Sequence, residues 1–545
     1  MEWFAQDTWK IAPRLTLTYG ARYEVNPAPH SLNGKPLFSL KDFDPVQCTT
    51  TPSFAPGTTI CNVGINPLGT APYPTTWGNV APRIGVAWQL SQDSRWARVL
   101  RAGFGVFYDT AGDAASATLG PFSPSVVGLL PNSPCPSSST FAQYIQFPIT
   151  NPACITPPQV QTNIGPDSPY TSVAQAAAPN LKLPRTYQFN LSVQQSLGSQ
   201  QSLTLSYVGA VGRDLIGGIP MVQVAQLGAS TITVPVSPTF PTFLVVYGNY
   251  AASDYNALQA NFQRRFYRGL GATASYTWSH SLDDASNFNS GAVFPFSVNR
   301  SSSDFDIRQT LAVSLVYDAP TPLKSNNVAR AILGHWSFDP IYHFQTAPPV
   351  NPIAVLSTSD TFTFTTRPNV IPGIPVYVYG AQCAAEYGGF CPGGRGLNNA
   401  AVDTPLGATS AQAAAAGCAP GTVVGAFCRP VGGITPGAAS GAAQGNAGRN
   451  SLRGFHLQQL DLAIHRDFPI GERIHLRFET NIFNVFNHPN FSSPSAILTD
   501  GGFGLSHSMM NASFGSGNAS TGGGYNSLYT MGGPRAVQLA IKLLF

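Results

Sequence analysis

The sequence predicts an all-β protein: a transmembrane, antiparallel, up-and-down β-barrel with long loops at one end. Three observations support this fold class. Polar and apolar residues alternate with a period of two in many segments, and short connections alternate with long ones along the chain. In addition, only 10% of the 545 residues are charged, whereas an ordinary soluble domain has roughly 25%.

The composition excludes a helical membrane protein. The mean hydropathy is +0.01, and Gly, Pro, Ser or charged residues interrupt every apolar run before it reaches the roughly 18 residues that a spanning helix requires. Any membrane-spanning element is therefore a strand. The net charge is +4 and the Lys and Arg residues are scattered, which argues against a surface that binds nucleic acid.

The clearest early strand lies between Arg14 and Glu24. Its odd-numbered residues, such as Leu17 and Tyr19, are apolar, whereas most of its even-numbered residues are polar. Such a strand presents one face to lipid and the other to the barrel interior. The same alternation recurs at Ile84–Leu90, Tyr187–Gln194, Leu203–Tyr207, Ala272–Ser279, Leu311–Tyr317, Leu460–Ile464 and Ile474–Phe478.

The connections between the predicted strands fall into two length classes. Short ones cover residues 12–13, 91–97, 197–200, 267–270 and 468–472, with a somewhat longer one at 321–334. Long ones cover residues 25–77, 111–183, 216–253, 285–303, 347–452 and 491–531. Short periplasmic turns and long extracellular loops are typical of barrels in the bacterial outer membrane. The pattern therefore predicts this location and about thirteen strands.

We expect residues 1–545 to form one outer-membrane β-barrel domain. Because single-chain bacterial barrels have an even number of strands, these strands would be about the last thirteen of a 22-stranded barrel. Met1 leads directly into a strand-like segment without a targeting leader, so we expect the chain to be an N-terminally truncated fragment. The segment Ala408–Gly448 has little apolar material for a core, and we expect it to be mobile.

The chain ends in an amphipathic strand, Gly533–Phe545. Val537 and alternate residues after it are apolar, whereas Gln538 and Lys542 lie on the opposite face. A terminal Phe545 on such a strand resembles the C-terminal signal by which the barrel-assembly machinery recognises outer-membrane proteins. An ordinary terminal edge strand is the alternative.

The eight cysteines form four pairs of close sequence neighbours, all within predicted long loops. In an oxidising compartment such pairs favour disulfide bonds, although eight cysteines allow 105 connectivities. A metal site is disfavoured because no C-x-x-C spacing occurs and no paired His accompanies the cysteines, and we expect no cofactor. The candidate disulfide cysteines are Cys48 and Cys61, Cys135 and Cys154, Cys383 and Cys391, and Cys418 and Cys428.

Charged and His residues on the predicted strands are candidates to line the barrel lumen. There they would contact a solute, or they would be hydrated side chains that pair across strands. The candidate lumen-facing residues are Arg14, Arg22, Glu24, Asp461, His465, His475, Arg477 and Glu479.

One group of residues suggests a catalytic site, because Ser279, His280, Ser281 and Asp283 lie close together near a predicted strand end. Hydrolases use these residue types. However, successive residues of a strand point to opposite faces, so a shared site would require a bend. We therefore expect no enzymatic activity.

Several segments spread over the chain resemble the barrel of TonB-dependent receptors of the Oar-like type. These segments are Phe4–Trp9, Leu15–Glu24, Ala81–Gly85, Arg101–Asp109, Gly448–Gly454, Phe483–Phe491 and Gly533–Arg535. The resemblance implies a 22-stranded barrel, closed by an N-terminal plug and energised through TonB. The plug and the TonB-contacting segment are absent from this chain, so the TonB complex would act through a missing N-terminal region.

The function implied by this resemblance is the barrel portion of a receptor that takes up a scarce, unknown solute. Its partners would be outer-membrane lipid, the barrel-assembly machinery and the TonB complex. Two alternatives remain open. One is a passive porin-like channel, and the other is a surface adhesion or structural protein that uses the barrel as an anchor.

Overall fold

The computed structural model describes residues 1–30, 39–41, 43, 64–67, 70–93, 95–109, 173–222, 243–286, 296–320, 333–359, 362–431, 445–470, 474–510 and 531–545. Its main feature is an antiparallel sheet in which thirteen strands, β1 to β13, pair in chain order. The strands are Glu2–Ala12 (β1), Leu15–Asn26 (β2), Thr76–Ser91 (β3), Arg98–Tyr108 (β4), Arg185–Leu197 (β5), Gln201–Val222 (β6), Phe243–Tyr267 (β7), Leu270–Asp283 (β8), Gln309–Asp318 (β9), Trp336–Gln345 (β10), Leu457–Pro469 (β11), His475–Phe483 (β12) and Ala536–Leu544 (β13). The prediction of an all-β, up-and-down arrangement is confirmed.

Smaller elements accompany these strands. Val173–Ala177 pairs parallel with β7, Ser301–Ser302 pairs with β8, and Leu40–Lys41 pairs with Gly64–Ile65. One 3-10 turn spans Phe296–Asn299. Among the described residues, no helix is long and apolar enough to cross a membrane.

The register keeps alternate residues on the same side across the whole sheet. In one row, Tyr207 of β6 lies beside Leu258 of β7, which lies beside Trp278 of β8. These side chains are 44%, 44% and 57% exposed, and a soluble surface rarely carries so continuous an apolar patch. The adjacent row carries Ser206 and Gln259 on the other side. We call these two sides the apolar face and the polar face.

The two ends of the sheet differ as the sequence predicted. The short connections 13–14, 92–97, 198–200, 268–269 and 470–474 and the somewhat longer connection 319–335 lie at one end, which we call the turn end, and the long connections lie at the other, the loop end. One predicted loop, 216–253, is much shorter in the structure. β6 continues to Val222 and β7 begins at Phe243, because the backbones of the two strands stay paired as far as these residues.

The sheet has two edges within the described residues. β1 and β13 each pair with a single neighbour, β2 and β12 respectively. Nearly every residue of β1 is exposed, as are most residues of β13. Both edges therefore present unpaired backbone groups.

Two long connections fold together at the loop end. Residues 346–431 and 445–456 between β10 and β11 pack against residues 484–510 between β12 and β13, and we call this unit the loop module. Tyr387 joins the two connections by donating to the carbonyl oxygens of Leu397 at 2.5 Å and Phe503 at 2.9 Å. The core of the module contains the buried residues Val350, Ala354, Leu397, Ala426, Phe427, Leu452, Ala496, Leu498 and Phe503.

The loop module contains two short helices, α1 (Gly380–Glu386) and α2 (Ser410–Ala415), and one 3-10 turn at Pro392–Gly394. Its strand pairs are Pro349–Val350 with Leu452–Arg453, Ala354–Ser359 with Phe362–Thr366, Asn369–Val370 with Phe427–Cys428, and Tyr377–Tyr379 with Arg395–Leu397.

The prediction that Ala408–Gly448 lacks a core is wrong for residues 408–431. Thr409 starts α2 with a capping box, in which its hydroxyl accepts from the N–H of Gln412 and the Gln412 side chain accepts from the N–H of Thr409. Ala408 and Cys428 are fully buried in a second apolar cluster. Small residues suffice here because a disulfide and neighbouring strands complete the packing. Residues 432–444 lie outside the described residues.

Candidate functional site at the loop end

The residues predicted to line a lumen share one side of the sheet. Through the register, Arg22, Glu24, Asp461, His465, His475, Arg477 and Glu479 all lie on the polar face. Arg14 differs, because it lies in the turn between β1 and β2 and donates to Gln92 Oε1 at 3.2 Å. The face is thus as the alternation predicted, whereas its role as a lumen lining stays a prediction.

These polar-face residues pair with one another rather than standing free. Arg477 donates to both oxygens of Asp467, at 2.7 and 2.9 Å. Lys542 contacts Glu479 at 2.5 Å. Such pairs across neighbouring strands are the ordinary arrangement of a hydrated barrel interior. On β11, β12 and β13, charged side chains of the polar face are therefore paired across neighbouring strands.

Sequence patterns did not reveal a second charged cluster at the loop end. We call it the mouth cluster, and its members are Asp254, Asp283, Asp284, Arg300, Asp306, Arg449 and Arg453. Arg449 is its most buried cation: its side chain is 6% exposed and pairs with Asp283, which is 4% exposed. The same guanidinium donates to the carbonyl oxygens of Asp283 at 3.1 Å and Ser302 at 3.3 Å.

Asp306 is the buried centre of the second half of the mouth cluster. Its side chain is fully buried and accepts from Arg453 at 2.9 Å and from Arg308 at 2.9 Å. The backbone N–H of Ser281 also donates to it at 2.9 Å. Burial alone would raise the pKa of Asp306, but these donors outweigh burial and hold the pKa below its ordinary value.

Arg300 extends the cluster towards β7. It pairs with Asp254, which also contacts Arg213 at 3.0 Å, and it lies 3.4 Å from Asp284. Burial raises the pKa of Asp284, and Arg300 offsets this only in part. Acidic and basic side chains therefore alternate within the mouth cluster, along the loop end of the sheet.

Within the loop module, residues 445–456, which we call the anchor segment, connect the rest of the module to the mouth cluster. Asn450 donates to the Ser302 carbonyl oxygen at 2.8 Å and to Asp304 at 2.6 Å. On the other side, Arg395 of the module donates to the Arg453 carbonyl oxygen at 3.1 Å. The anchor segment thus fastens the loop module to β8 and to the segment that follows it.

A sequence signal for this site existed. The anchor segment contains Gly448–Gly454, one of the segments that resemble Oar-like receptors, and its two Arg residues are unusual in a charge-poor loop. Its acidic partners lie far earlier in the chain: Asp283 is 166 positions from Arg449, and Asp306 is 147 positions from Arg453. Only the folded chain brings them together.

Two of the candidate disulfides are present in the structure. Cys383 and Cys391 are joined with a Cα–Cα distance of 5.7 Å, and Cys418 and Cys428 with 5.5 Å. Both lie in the loop module. The other four candidates, Cys48, Cys61, Cys135 and Cys154, lie outside the described residues.

The candidate catalytic residues do not form a site. Ser281 and Ser279 lie on the polar face, whereas His280 lies on the apolar face. Ser279 donates to the Ile307 carbonyl oxygen at 2.7 Å, and Ser281 bonds to Ser303 at 2.8 Å. In the part of the chain that the structure describes, no three His, Cys, Asp or Glu side chains are grouped as metal ligands.

An antiparallel, up-and-down sheet with one apolar and one polar face, short turns at one end and long loops at the other defines a membrane-spanning β-barrel protein. The family model described as "Outer membrane beta barrel domain" matches residues 1–533. The chain belongs to this family, and it is a protein of the bacterial outer membrane.

Solved structures align with the chain at low identity. The copper transporter OprC is 9% identical, with a TM-score of 0.37, and the alignment covers 100% of this chain and 48% of OprC. The ferripyoverdine receptor of the outer membrane of Pseudomonas aeruginosa is 8% identical, with a TM-score of 0.39 and coverage of 100% and 38%. The outer membrane transporter YddB from Escherichia coli is 10% identical, with a TM-score of 0.38 and coverage of 100% and 53%.

The chain therefore spans between 38% and 53% of the length of these three structures. No curated protein sequence matches it.

Proposed function

We propose that the chain is the barrel portion of a TonB-dependent outer-membrane receptor that actively takes up a scarce solute. The observation that carries this proposal is the mouth cluster, which fastens a folded loop module to the loop end of the sheet. A receptor needs a structured extracellular surface to recognise its solute. Dependence on TonB rests on the resemblance to Oar-like receptors.

In this proposal, the polar face lines the lumen and the apolar face contacts outer-membrane lipid. The loop module lies on the extracellular side, where the buried ion pair between Arg449 and Asp283 holds it against the sheet. Phe545 ends the strand that the barrel-assembly machinery would recognise, and the TonB complex would act through a region N-terminal to this chain. The protein itself carries out transport and no chemical reaction.

Uptake measurements distinguish this proposal from its alternatives. Cells that make the full-length protein, including the region N-terminal to this chain, are given a panel of labelled solutes, namely a ferric siderophore, a copper chelate, a peptide and an oligosaccharide, with and without a protonophore. We expect saturable uptake of one class that stops when the protonophore collapses the proton-motive force. Uptake that is not saturable and is unaffected by the protonophore would indicate a passive channel.

Liposome swelling provides the matched structural test. The purified full-length protein should give slow swelling, whereas the double variant Arg449→Met, Arg453→Met should swell faster because the loop module is released from the loop end of the sheet. Arg95→Gln is the control, since Arg95 lies in a turn at the opposite end. Fast swelling by the unaltered protein contradicts a receptor, and no uptake of any solute together with cell adhesion favours the anchor alternative.

A further inference from the structure

One Arg breaks the alternation of β11. Arg466 lies on the apolar face, where its register partners are Trp336 of β10 and Phe478 of β12. β11 ends at Pro469, so Arg466 lies about 10 Å from the turn end, at the rise of roughly 3.3 Å per residue of a strand. Its register partner Trp336 is the first residue of β10, so Arg466 lies near the turn end of the sheet.

The guanidinium of Arg466 is held by aromatic rings. It lies 5.3 Å from the ring centroid of Trp336 and 4.2 Å from that of Phe468. The residue is 9% exposed, and its Nε is buried without a hydrogen-bond partner. Among the described residues, Arg466 makes no ion pair with a carboxylate.

This arrangement stabilises the charge of Arg466 through ring faces but leaves its buried Nε–H without a hydrogen-bond acceptor. Ring faces attract a cation, but the N–H groups of a guanidinium lie in its plane and need acceptors of their own. Arg477 on the polar face shows the contrast, since Asp467 accepts two of its hydrogen bonds. A buried cation without an acceptor is costly, so an acceptor from outside the chain would stabilise Arg466.

The surroundings restrict what that acceptor can be. It must reach the apolar face at the turn end, where lipid and not bulk water is the neighbour, and it must be anionic with oxygens in a fork geometry. The phosphate of a membrane lipid meets both conditions. We propose that Arg466, held between Trp336 and Phe468, binds the phosphate group of an anionic phospholipid in the leaflet at the turn end.

A second Arg at the turn end, Arg268, also lies beside an aromatic ring. Arg268, in the turn between β7 and β8, lies 5.1 Å from the ring centroid of Tyr267. Tyr267 is 43% exposed, so this pair is more open to water than the pair at Arg466. Barrels in the outer membrane carry a girdle of aromatic residues at the level of the lipid headgroups, and Arg side chains can extend to the same level. Arg466 and Arg268 fit such a girdle, and Arg466 is the more buried of the two.

Lipid retention tests the proposal. The folded protein is purified in detergent, exchanged into mixed micelles that contain phosphatidylglycerol and phosphatidylcholine in equal amounts, and analysed by native mass spectrometry. We expect one phosphatidylglycerol to be retained in preference to phosphatidylcholine. Arg466→Gln should lower this retention about fivefold, since one Arg near an anionic lipid surface contributes about 1 kcal/mol.

The controls separate this site from general attraction to anionic lipid. Arg95→Gln removes the same charge from the same end of the sheet, and we expect it to retain phosphatidylglycerol as the unaltered protein does. Arg466→Lys keeps the charge but loses the planar fork, and it should bind more weakly than the unaltered protein. The mobility of unheated samples in gel electrophoresis shows that each variant is folded.

Three outcomes would overturn the proposal. The first is full retention by folded Arg466→Gln or Arg466→Lys, and the second is an equal loss of retention in Arg95→Gln and Arg466→Gln. The third is complete displacement of the lipid by inorganic phosphate at the lipid concentration, which would make the site one for the free ion. These outcomes are independent of the solute, so a failure here leaves the proposed transport function untouched.

Discussion

The sheet and the loop module are stabilised in different ways. The sheet joins neighbouring strands by continuous backbone pairing and exposes rows of apolar side chains such as Tyr207, Leu258 and Trp278, which lipid must cover. The loop module resembles a small secreted domain, because it has buried apolar clusters, disulfides and paired charges. Substitutions should therefore separate the two regions: some should destabilise the sheet and others only the loop module.

The largest effect is expected for Arg449→Met. Removing the guanidinium leaves Asp283 buried without its partner, which costs about 3–5 kcal/mol. We expect the anchor segment and residues 300–308 to exchange amide hydrogens much faster, while strands β2 to β5 keep their protection. Hydrogen exchange read by mass spectrometry measures both regions in one sample.

The double variant Arg449→Met, Asp283→Leu is the matched control for that prediction. It removes both charges together, so much of the protection should return. Unchanged exchange in the single variant would mean that the mouth cluster does not hold the loop module.

The next largest effect is expected for a substitution in the sheet. Val313 and Ser314 are neighbours in the middle of β9, and their register partners Ala274 and Thr273 place them on opposite faces. Val313→Arg should lower the free energy of unfolding in lipid vesicles by about 2–4 kcal/mol, because it puts a charge on the lipid-contacting face near the midplane. Ser314→Arg should have a much smaller effect. Equal losses in urea titrations would show that the faces are assigned incorrectly.

A disulfide of the loop module should affect only the module. Replacing Cys418 and Cys428 with Ser removes a link that closes a short loop, and such links typically contribute about 2–4 kcal/mol. Limited proteolysis should then cut within residues 408–431, while the sheet keeps its unheated gel mobility. If the sheet loses its fold as well, the two regions are not separate units of stability.

Lowering the pH should destabilise the loop module before it destabilises the sheet. The pKa of Asp306 is held below its ordinary value of 3.8, so its ionised form stabilises the folded state at higher pH, and this contribution is lost as the pH falls through the lowered pKa. Pepsin cleavage near residues 300–308 should therefore rise steeply only below pH 3.8. Asp306→Asn should cleave readily at all acidic pH values, and an unaltered pH profile in that variant would contradict the assignment.

The smallest effect is expected at the turn end. Leu476 and Arg477 are neighbours on opposite faces of β12, with Leu543 and Lys542 as their register partners. Leu476→Arg lies near the interface, where a charge costs about 0–1 kcal/mol. Arg477→Leu breaks a half-exposed ion pair worth about as much. Refolding yields should therefore differ far less than for the Val313 and Ser314 pair, and a large difference would place the membrane edge elsewhere.

The sheet was predictable from the sequence because the alternation of polar and apolar residues is a local pattern. Side chains alternate along a strand, so the residues from Leu15 to Tyr23 indicate which face each one occupies, and the lengths of the connections distinguish the two ends of the sheet. The prediction was wrong where this alternation ends. Arg14 lies in a turn, which has no period of two, and β6 and β7 continue through a segment whose composition resembles a loop.

The pattern of residues along the chain was enough to predict the fold class, the two faces of the sheet and the alternation of short and long connections. The mouth cluster, the loop module and the place of Arg466 among aromatic rings became visible only in the folded structure. The physical reason is distance along the chain: Arg449 meets Asp283 across 166 residues, and Tyr387 meets Phe503 across 116. No local period specifies such contacts, because packing between separate loops creates them.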